Sequence, residues 1–237
     1  MKAIAIIPAA GLGTRMGKSS KDAAGGERKQ FIAIGGTPVL IHTLRRFFEA
    51  ETISEIFLAV RDTDRDLVEE CLAGEGAKKP VHLAPGGNNR QESVKNALAM
   101  APADADIIAV HDAVRPFVTA ELIDQAVRQA QADGAVILGV PAVDTVKRVD
   151  QKTVHATLPR ERIMLAQTPQ VFRADLLRRA FERAEQDGFV GTDEASVVEH
   201  LGEDVHVMLG SERNIKITRP SDLSLAEFYL QEMTREG

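Results

Sequence analysis

The most chemically suggestive stretch of the sequence follows an apolar run near the N-terminus and reads PAAGLGTRMG, residues 8–17. Gly11 and Gly13 leave a turn without side chains, and Arg15 follows directly. Backbone N–H groups in such a turn can approach a polyphosphate, while Arg15 and Lys29, at the end of the next polar loop, neutralise its charge. The pattern indicates a nucleotide phosphate site or a plain glycine turn with solvated charges.

Two better-known glycine motifs do not fit this stretch. A dinucleotide-binding turn, G-x-G-x-x-G, needs a third glycine where Met16 stands, and an acidic residue at the end of the next strand, which is missing. A Walker loop, G-x-x-x-x-G-K-[ST], would require a glycine at Leu12 to match the GKS triplet at 17–19. The sequence therefore predicts a third kind of phosphate-binding loop.

A carboxylate follows the most apolar strand-like run, in HDAVRP at 111–116. Asp112 would lie at the carboxyl end of a central strand, where an open α/β sheet presents its ligands. Mg²⁺ favours one or two carboxylates together with phosphate oxygens, so Asp112 is the candidate metal ligand. His111 points to the opposite face of the strand and is predicted to be structural.

Of two further clusters, one allows two interpretations and the other does not indicate a functional site. GGNNRQESV at 86–94 suits contacts to a base or ribose, and equally an ordinary loop with a helix N-cap. NIKIT at 214–218 alternates like a short strand, and this periodicity places Lys216 in solvent.

The elements that would position these residues alternate between apolar strands and amphipathic helices. Such a pattern predicts a doubly wound, Rossmann-like α/β fold, with a mostly parallel sheet covered on both faces. The predicted strands are 3–9, 55–60, 81–84, 106–113 and 135–140. The predicted helices are 38–49, 63–73, 91–100 and 119–132.

After residue 141 the alternation of apolar strands with amphipathic helices is interrupted. VDTVKRVDQKTVHATL predicts a two-stranded hairpin around a DQK turn, and a hairpin this polar must pack against something else. Helices are expected at 174–187 and 193–201, a short strand at VHVML, and a last helix capped by Ser221. We expect one domain over 1–237 with a projecting arm at about 142–170.

The composition narrows the class of protein. A net charge of −6 argues against a nucleic-acid-binding face. The single cysteine, Cys71, lies in a helical pattern and excludes an internal disulfide. The N-terminal apolar run breaks at Pro8, which is too early for a membrane span or a signal peptide. We therefore expect a cytoplasmic protein without membrane partners.

These motifs, in this order, resemble one enzyme family, the 2-C-methyl-D-erythritol 4-phosphate cytidylyltransferases. The resemblance spans nearly the whole chain and rests on PAAGLGTRMG with KQF, GGNNRQESV, HDAVRP, VDTVKR, QTPQVF, TDEASVVEHLG and NIKITRPSDLSLAEFYL. It implies transfer of CMP from CTP to the methylerythritol phosphate, with release of pyrophosphate, in non-mevalonate isoprenoid synthesis. It further implies a need for Mg²⁺ and a homodimer in which each subunit's arm reaches the other's site.

The resemblance also implies roles for residues at the nucleotide. Arg15 and Lys29 would hold the triphosphate and stabilise the transition state. Lys29 is assigned from the adjoining Gln30 and Phe31, because the insertion SSKDAAGGE lengthens the loop and makes Lys18 and Lys21 fallbacks. The residues that match CTP-binding positions are Ala9, Ala10, Gly11, Gly13, Gly87, Asn88 and Ser93, with Asn88 standing where many members carry aspartate.

On the acceptor side, Asp112 would hold the metal and touch the substrate, and Arg115 and Lys216 would face the reacting phosphates. Thr145, Arg160 and Thr168 would come from the partner's arm. The residues expected to be catalytic are therefore Arg15, Lys29, Arg160 and Lys216. No catalytic histidine or cysteine is expected, because the attacking phosphate is already ionised. A D-ribitol 5-phosphate cytidylyltransferase is the alternative.

Overall fold

The computed structural model describes residues 1–11, 29–76 and 78–236. Their strands are β1 Ala3–Pro8, β2 Ala33–Ile34, β3 Thr37–Pro38, β4 Ile53–Val60, β5 Val81–Pro85, β6 Ile107–Val110, β7 Ala135–Pro141, β8 Val146–Asp150, β9 Thr153–Leu158, β10 Met164–Arg173 and β11 His206–Leu209. Their helices are α1 Val39–Glu49, α2 Arg65–Glu75, α3 Arg90–Met100, α4 Ala120–Asp133, α5 Ala174–Asp187, α6 Glu194–Leu201 and α7 Pro220–Glu236.

A seven-stranded sheet in the order β11-β7-β10-β6-β1-β4-β5 forms the centre of the structure. β10 pairs antiparallel with β6 and β7, and the other pairings in this sheet are parallel. The predicted α/β class and mostly parallel sheet are confirmed. Both faces are buried, because Ile4 and Ile6 enter one apolar cluster while Ala5 and Ile7 enter the other.

The order in which successive strands are added to the sheet reverses direction at β1. From β1 it builds outward through β4 and β5, and α3 then returns it to β6 on the other side of β1. The carboxyl ends of β4, β1 and β6 therefore open into one crevice, which is where doubly wound sheets bind ligands.

The segment before α7 differs from its predicted structure. Residues 214–218 form no strand, and the backbone N–H of Ile217 instead donates to the carbonyl of Val114 at 2.9 Å. Ser221 lies inside α7 and does not cap it. The Asp222 carboxylate accepts hydrogen bonds from the backbone N–H groups of Thr218 and Arg219, at 2.7 and 2.8 Å. The predicted strand and the predicted cap are therefore wrong.

The predicted hairpin after residue 141 is confirmed. β8 and β9 pair antiparallel around Gln151 and Lys152, whose φ angles of 43° and 74° give the left-handed turn that matches strand twist. Most of its side chains are exposed. The range expected for the arm extends too far, since residues from Met164 onward belong to β10 in the central sheet. None of the helices in the described residues has the length and apolar character needed to span a bilayer.

Candidate active site

A cavity of about 270 Å³ opens at the carboxyl ends of β1, β4 and β6. Most of its lining comes from the loops that follow these strands, together with the start of α3 and the segment before α7. Of the sequence-predicted residues, it is lined by Ala9, Ala10, Gly11, Lys29, Gly87, Asn88, Ser93, Asp112 and Lys216. Gly13, Arg15, Lys18 and Lys21 lie outside the described residues.

The start of the glycine turn is held by Gln30, which marked the position of Lys29 in the sequence but had no predicted role of its own. Its buried side-chain amide donates to the carbonyls of Ala9 at 2.7 Å and Gly11 at 3.3 Å. The backbone N–H of Ala9 donates to Ala59 at the end of β4. A single glutamine beside a lysine carries no sequence signal for this function, because its partners are 21 and 19 residues away.

The GGNN loop is the start of a helix, as one of its two interpretations predicts, and it also borders the cavity. Asn89 is the N-cap of α3, accepting from the Glu92 N–H at 2.8 Å, so the loop does begin a helix. Ser93 donates to the Asn89 carbonyl and accepts from the Gly87 N–H at 3.0 Å, and both Gly87 and Ser93 also line the cavity. The capping interactions thus fix the cavity wall.

Asp112 lies at the centre of a cluster of cations. Arg90 Nε donates to its Oδ1 at 3.1 Å, while Lys216 Nζ lies 2.8 Å and Arg115 Nε 3.5 Å from its Oδ2. Burial alone would raise the pKa of Asp112, but the charges of Arg90, Lys216 and Arg115 outweigh burial and hold this pKa far below its ordinary value. Asp112 is therefore a carboxylate wherever the protein is folded near neutral pH.

Strand periodicity placed Lys216 in solvent, whereas the family resemblance placed it at the reacting phosphates. The expectation from periodicity is wrong, because Lys216 lies 2.8 Å from Asp112. Strand periodicity does not apply to residues 214–218, because they form no strand. The hydrogen bond from Ile217 to Val114 brings the segment against the loop after β6, so the Lys216 ammonium reaches Asp112.

A second buried carboxylate supports the cluster from α6. Glu194 is 1% exposed, and both its oxygens lie within 2.9 Å of Arg90 Nη1. Burial raises the pKa of Glu194, and the charge of Arg90 only partly opposes this increase. Burial would lower the pKa of Arg90, but the negative charges of Glu194 and Asp112 outweigh burial and raise it. The buried Gln170 side chain bonds Asp193 and the Ala195 N–H, which fixes the start of α6. Glu194 and Gln170 lie within the motifs TDEASVVEHLG and QTPQVF, but neither residue had a predicted role of its own, because their partners are far away in sequence.

A second cavity of about 180 Å³ adjoins the first and shares Arg90, Asp112 and Lys216 with it. Arg115, Thr168 and Thr192 also line it. The two cavities therefore meet at the Asp112 cluster.

Thr168 lies in β10 of the same chain, and its hydroxyl accepts from the Asp112 backbone N–H at 3.0 Å. The expectation that Thr168 comes from a partner's arm is therefore wrong. His111 is fully buried between the Thr168 hydroxyl and the Arg115 carbonyl, as expected for a structural residue. Burial lowers the pKa of His111 to about 4, so its imidazole is neutral.

Arg115 connects the cluster to the segment before α7. Its Nη1 donates to the Asn214 carbonyl at 2.6 Å, and the buried Asn214 amide donates to the Thr168 carbonyl at 2.8 Å. Burial lowers the pKa of Arg115, but the nearby Asp112 opposes this effect. The loop that carries Lys216 is thus tied to both β6 and β10.

Thr145 and Arg160 are not brought to this site by their own chain. Both are exposed near the hairpin, and neither lines the two cavities. Arg160 Nη1 donates to the Val143 carbonyl at 2.7 Å. Of the predicted acceptor-site residues, Asp112, Arg115, Thr168 and Lys216 converge, whereas these two lie apart.

The fit of the site to Mg²⁺ depends on Asp112. Within residues 1–11, 29–76 and 78–236, no three His, Cys, Asp or Glu side chains lie together as a ready-made metal site. A carboxylate offers about four lone-pair positions, and Arg90, Arg115 and Lys216 occupy three. Because Mg²⁺ is commonly held by one or two carboxylates plus substrate phosphates, the residues fit a metal that arrives with a nucleotide.

Comparison with known proteins agrees with this geometry. The sequence model of the 2-C-methyl-D-erythritol 4-phosphate cytidylyltransferase (IspD) family matches residues 3–232. This chain belongs to that family. A relative of that name from Solibacter usitatus is 52% identical over 236 residues, covering 98% of this chain and 97% of its own. One from Acidobacterium capsulatum is 48% identical, covering 98% of both chains.

Solved structures of the family share the fold. A 4-diphosphocytidyl-2C-methyl-D-erythritol synthase from Anaerococcus prevotii superposes with a TM-score of 0.84 at 31% identity, covering 97% of this chain and 96% of its own. The 2-C-methyl-D-erythritol 4-phosphate cytidylyltransferase from Francisella tularensis gives 0.80 at 33% identity, covering 96% and 99%. The family resemblance inferred from the motifs is therefore confirmed along the length of the chain.

Proposed function

We propose that the first cavity binds CTP, that the second binds the phosphate of the acceptor, and that the Asp112 cluster is where they react. As a member of its family, the chain is a CTP-dependent nucleotidyltransferase that transfers CMP to 2-C-methyl-D-erythritol 4-phosphate and releases pyrophosphate. The observation that carries the site assignment is the wall of Arg90, Asp112 and Lys216 that both cavities share. The family match supports this acceptor and not D-ribitol 5-phosphate.

The charge of the cluster suits two polyanions that must approach each other. Arg90, Arg115 and Lys216 carry three positive charges against the two of Asp112 and Glu194. The described cluster is therefore cationic, although the whole chain carries a net charge of −6. Fixed cations next to the reacting phosphates stabilise the charge that develops on the equatorial and leaving oxygens.

The reaction needs no general base or covalent nucleophile from the protein. An oxygen of the acceptor phosphate, already ionised near neutral pH, attacks the α-phosphorus in line, and the bond to the pyrophosphate oxygen breaks. Lys216 and Arg115 hold the acceptor phosphate, while Lys29 and Arg15 hold the triphosphate and its leaving charge. Mg²⁺, held by Asp112 and the phosphates, would neutralise part of the charge when bound.

The acceptor's polyol portion is proposed to be bound by a second subunit. Thr145 and Arg160 lie outside the cavities of their own chain, so they act only if the arm reaches a partner's site. Exposed Val143, Val149 and Val154 support burial of the arm in a homodimer. We expect this reaction to take place in the cytoplasm.

The test is pyrophosphate release by the purified protein with CTP and Mg²⁺, comparing 2-C-methyl-D-erythritol 4-phosphate with D-ribitol 5-phosphate. Release with the methylerythritol substrate is expected, and preference for the ribitol substrate would overturn the acceptor assignment. Lys29→Ala and Arg15→Ala should lower turnover more than they raise KM for CTP, because transition-state contacts act on kcat. Unchanged turnover in either variant would remove that residue from its role.

A further inference from the structure

A side chain of the first cavity has no role in the reaction as described so far. Arg61 directly follows β4 and lines the cavity, and its Nε donates to the Ala10 carbonyl at 2.9 Å. Within the described part of the chain, its guanidinium makes no other side-chain hydrogen bond and no ion pair. Arg61 Nε is therefore held by the glycine turn, and no residue in the described ranges 1–11, 29–76 and 78–236 occupies the terminal Nη donors, which can bind a ligand.

The position of Arg61 in the sheet corresponds to the nucleoside end of the cavity. β1 lies between β4 and β6, so the ends of β4 and β6 are two strand spacings apart, about 10 Å. The α-phosphate must lie near Asp112, after β6, where it meets the acceptor. The cytidine then extends across β1 towards the loops after β4 and β5, which carry Arg61, Gly87 and Asn88.

The donors of Arg61 match one edge of cytosine and not the same edge of uracil. Cytosine presents N3 and O2 as adjacent acceptors, spaced like the oxygens of a carboxylate that an arginine fork binds in bidentate fashion. Uracil carries a proton on N3, so one of the two positions becomes a donor that faces another donor. An equivalent fork on the adjacent acceptors of guanine is a common base-specific contact of arginine.

Asn88 complements this recognition at the exocyclic group. Its backbone N–H donates to Glu92 Oε2 at 2.7 Å and its side-chain Nδ2 to Glu92 Oε1 at 3.3 Å. With the nitrogen engaged, its amide oxygen is left as an acceptor beside the cavity. Such an oxygen can accept from the cytosine 4-amino group, whereas the corresponding O4 of uracil has no proton to donate.

We propose that Arg61, assisted by Asn88, reads the N3–O2 edge of the base and so selects CTP over UTP. This inference rests on the proposed function, because it assumes that the cavity holds CTP. It assigns Arg61 a contact to the base rather than to the reacting phosphates.

The test compares kcat/KM for CTP and UTP in the wild type, Arg61→Ala and Arg61→Lys, with Arg65→Ala as the matched control. Arg65 is four residues further along, exposed, and paired with Glu69 at 3.3 Å. Arg61→Ala should lower the CTP/UTP ratio by about 5- to 150-fold, the range for losing one bidentate base contact. Arg61→Lys should not restore the ratio, because an ammonium lacks the fork. Arg65→Ala should leave it unchanged.

The ratio is independent of the fraction of folded enzyme, so a loss of stability does not affect the result. Equal losses for CTP and UTP in Arg61→Ala would mean that Arg61 only supports the Ala10 carbonyl, and would overturn the inference. If the wild type fails to turn over CTP, the proposed function fails. Equilibrium binding of CTP and UTP to the same variants then tests Arg61 separately, and equal weakening of both nucleotides would again overturn it.

Discussion

The roles of Asp112 and Lys216 depend on the side chains that contact them in the folded protein. Asp112 alone would be a strand-end carboxylate, yet three cations make it a fixed anion that holds Arg90, Arg115 and Lys216 around the junction of two cavities. Removing one partner leaves the others in place, so the effect of each cation can be measured separately. Substitutions in this cluster should therefore alter catalysis more than folding.

Lys216→Ala is expected to lower kcat by about 10²–10³-fold, the range for losing one transition-state contact of this kind. Asp112 keeps Arg90 and Arg115, so the thermal midpoint should change little. Lys216→Arg should retain part of the activity, because the charge is kept but its position shifts. Lys95→Ala, an exposed lysine of α3 outside both cavities, is the control. Steady-state kinetics with a wild-type kcat in Lys216→Ala would exclude the proposed role.

The buried His42, which lies outside the candidate active site, should make the stability of the protein depend on pH. It is 8% exposed in α1, and its Nε2–H donates to the Ile34 carbonyl at 2.9 Å. Burial, followed by the charges of Arg45 and Arg46, lowers its pKa below 6.5, although the hydrogen bond to Ile34 and the charge of Glu75 oppose this. As pH falls through 6.5, the unfolded chain takes up a proton that the folded chain does not, so stability falls.

His42→Gln should therefore show a smaller decrease in the free energy of unfolding between pH 7 and pH 5 than the wild type. Urea titrations at several pH values in this range measure the difference. Equal slopes in the two proteins would show that His42 titrates alike in the folded and unfolded states.

The secondary-structure elements bring distant segments to the site. β10 runs against its neighbours and places Thr168 beside Asp112, and α6 presents Glu194 to Arg90. The loops after β4 and β5 lie against the glycine turn, where Gly86 donates its N–H to Val60 at 2.7 Å. A Cβ at Gly86 would collide with that of Ala10 and lie 3.1 Å from the Val60 oxygen.

Gly86→Ala should displace the backbone of Ala9 and Ala10, which line the first cavity. Because the proposed CTP-binding surface then shifts, KM for CTP should rise about tenfold or more. Overpacking should also cost about 1–3 kcal/mol of stability. Gly74→Ala in α2, where nothing lies within 4 Å of an added Cβ, is the matched control and should not alter KM. Nucleotide titrations that give the same KM for both variants would show that the close contact with Ala10 is not needed.

The arm gives the molecule a surface that its own chain does not cover. Val143, Val149 and Val154 are each more than half exposed, and a two-stranded hairpin is marginal without packing. Thr145 and Arg160 lie in the same region, apart from the cavities. Both observations support the proposal that a second copy receives the arm.

Mixed dimers test this arrangement. Arg160→Ala and Asp112→Ala should each be inactive alone. After co-refolding, the Asp112-containing site can receive an intact Arg160 from its partner, so measurable activity should return. Pyrophosphate release by the mixture, compared with each variant alone, measures this rescue. No rescue, or a monomer by light scattering, would mean that the arm does not complete a partner's site.

Local patterns determined the α/β class, the order of the helices and of the strands other than β2, β3 and β10, and the position of Asp112 at the carboxyl end of β6. These features follow from periodicity and from the apolar character of strands buried on both faces, which are properties of neighbouring residues. The hairpin was predictable for the same reason, since its alternation and its turn lie within one short segment. Local residue types also indicated the glycine turn and Lys29, whereas only the family motifs indicated Lys216.

The tertiary structure decided what depends on residues far apart in sequence. Lys216 faces Asp112 because Ile217 pairs with Val114, and periodicity within 214–218 carries no information about that contact. Thr168 belongs to its own chain's site because β10 joins the central sheet. Glu194 and Arg61 acquire partners 104 and 51 residues away, at Arg90 and Ala10. Such contacts arise only when the sheet brings strand ends together, so local pattern cannot predict them.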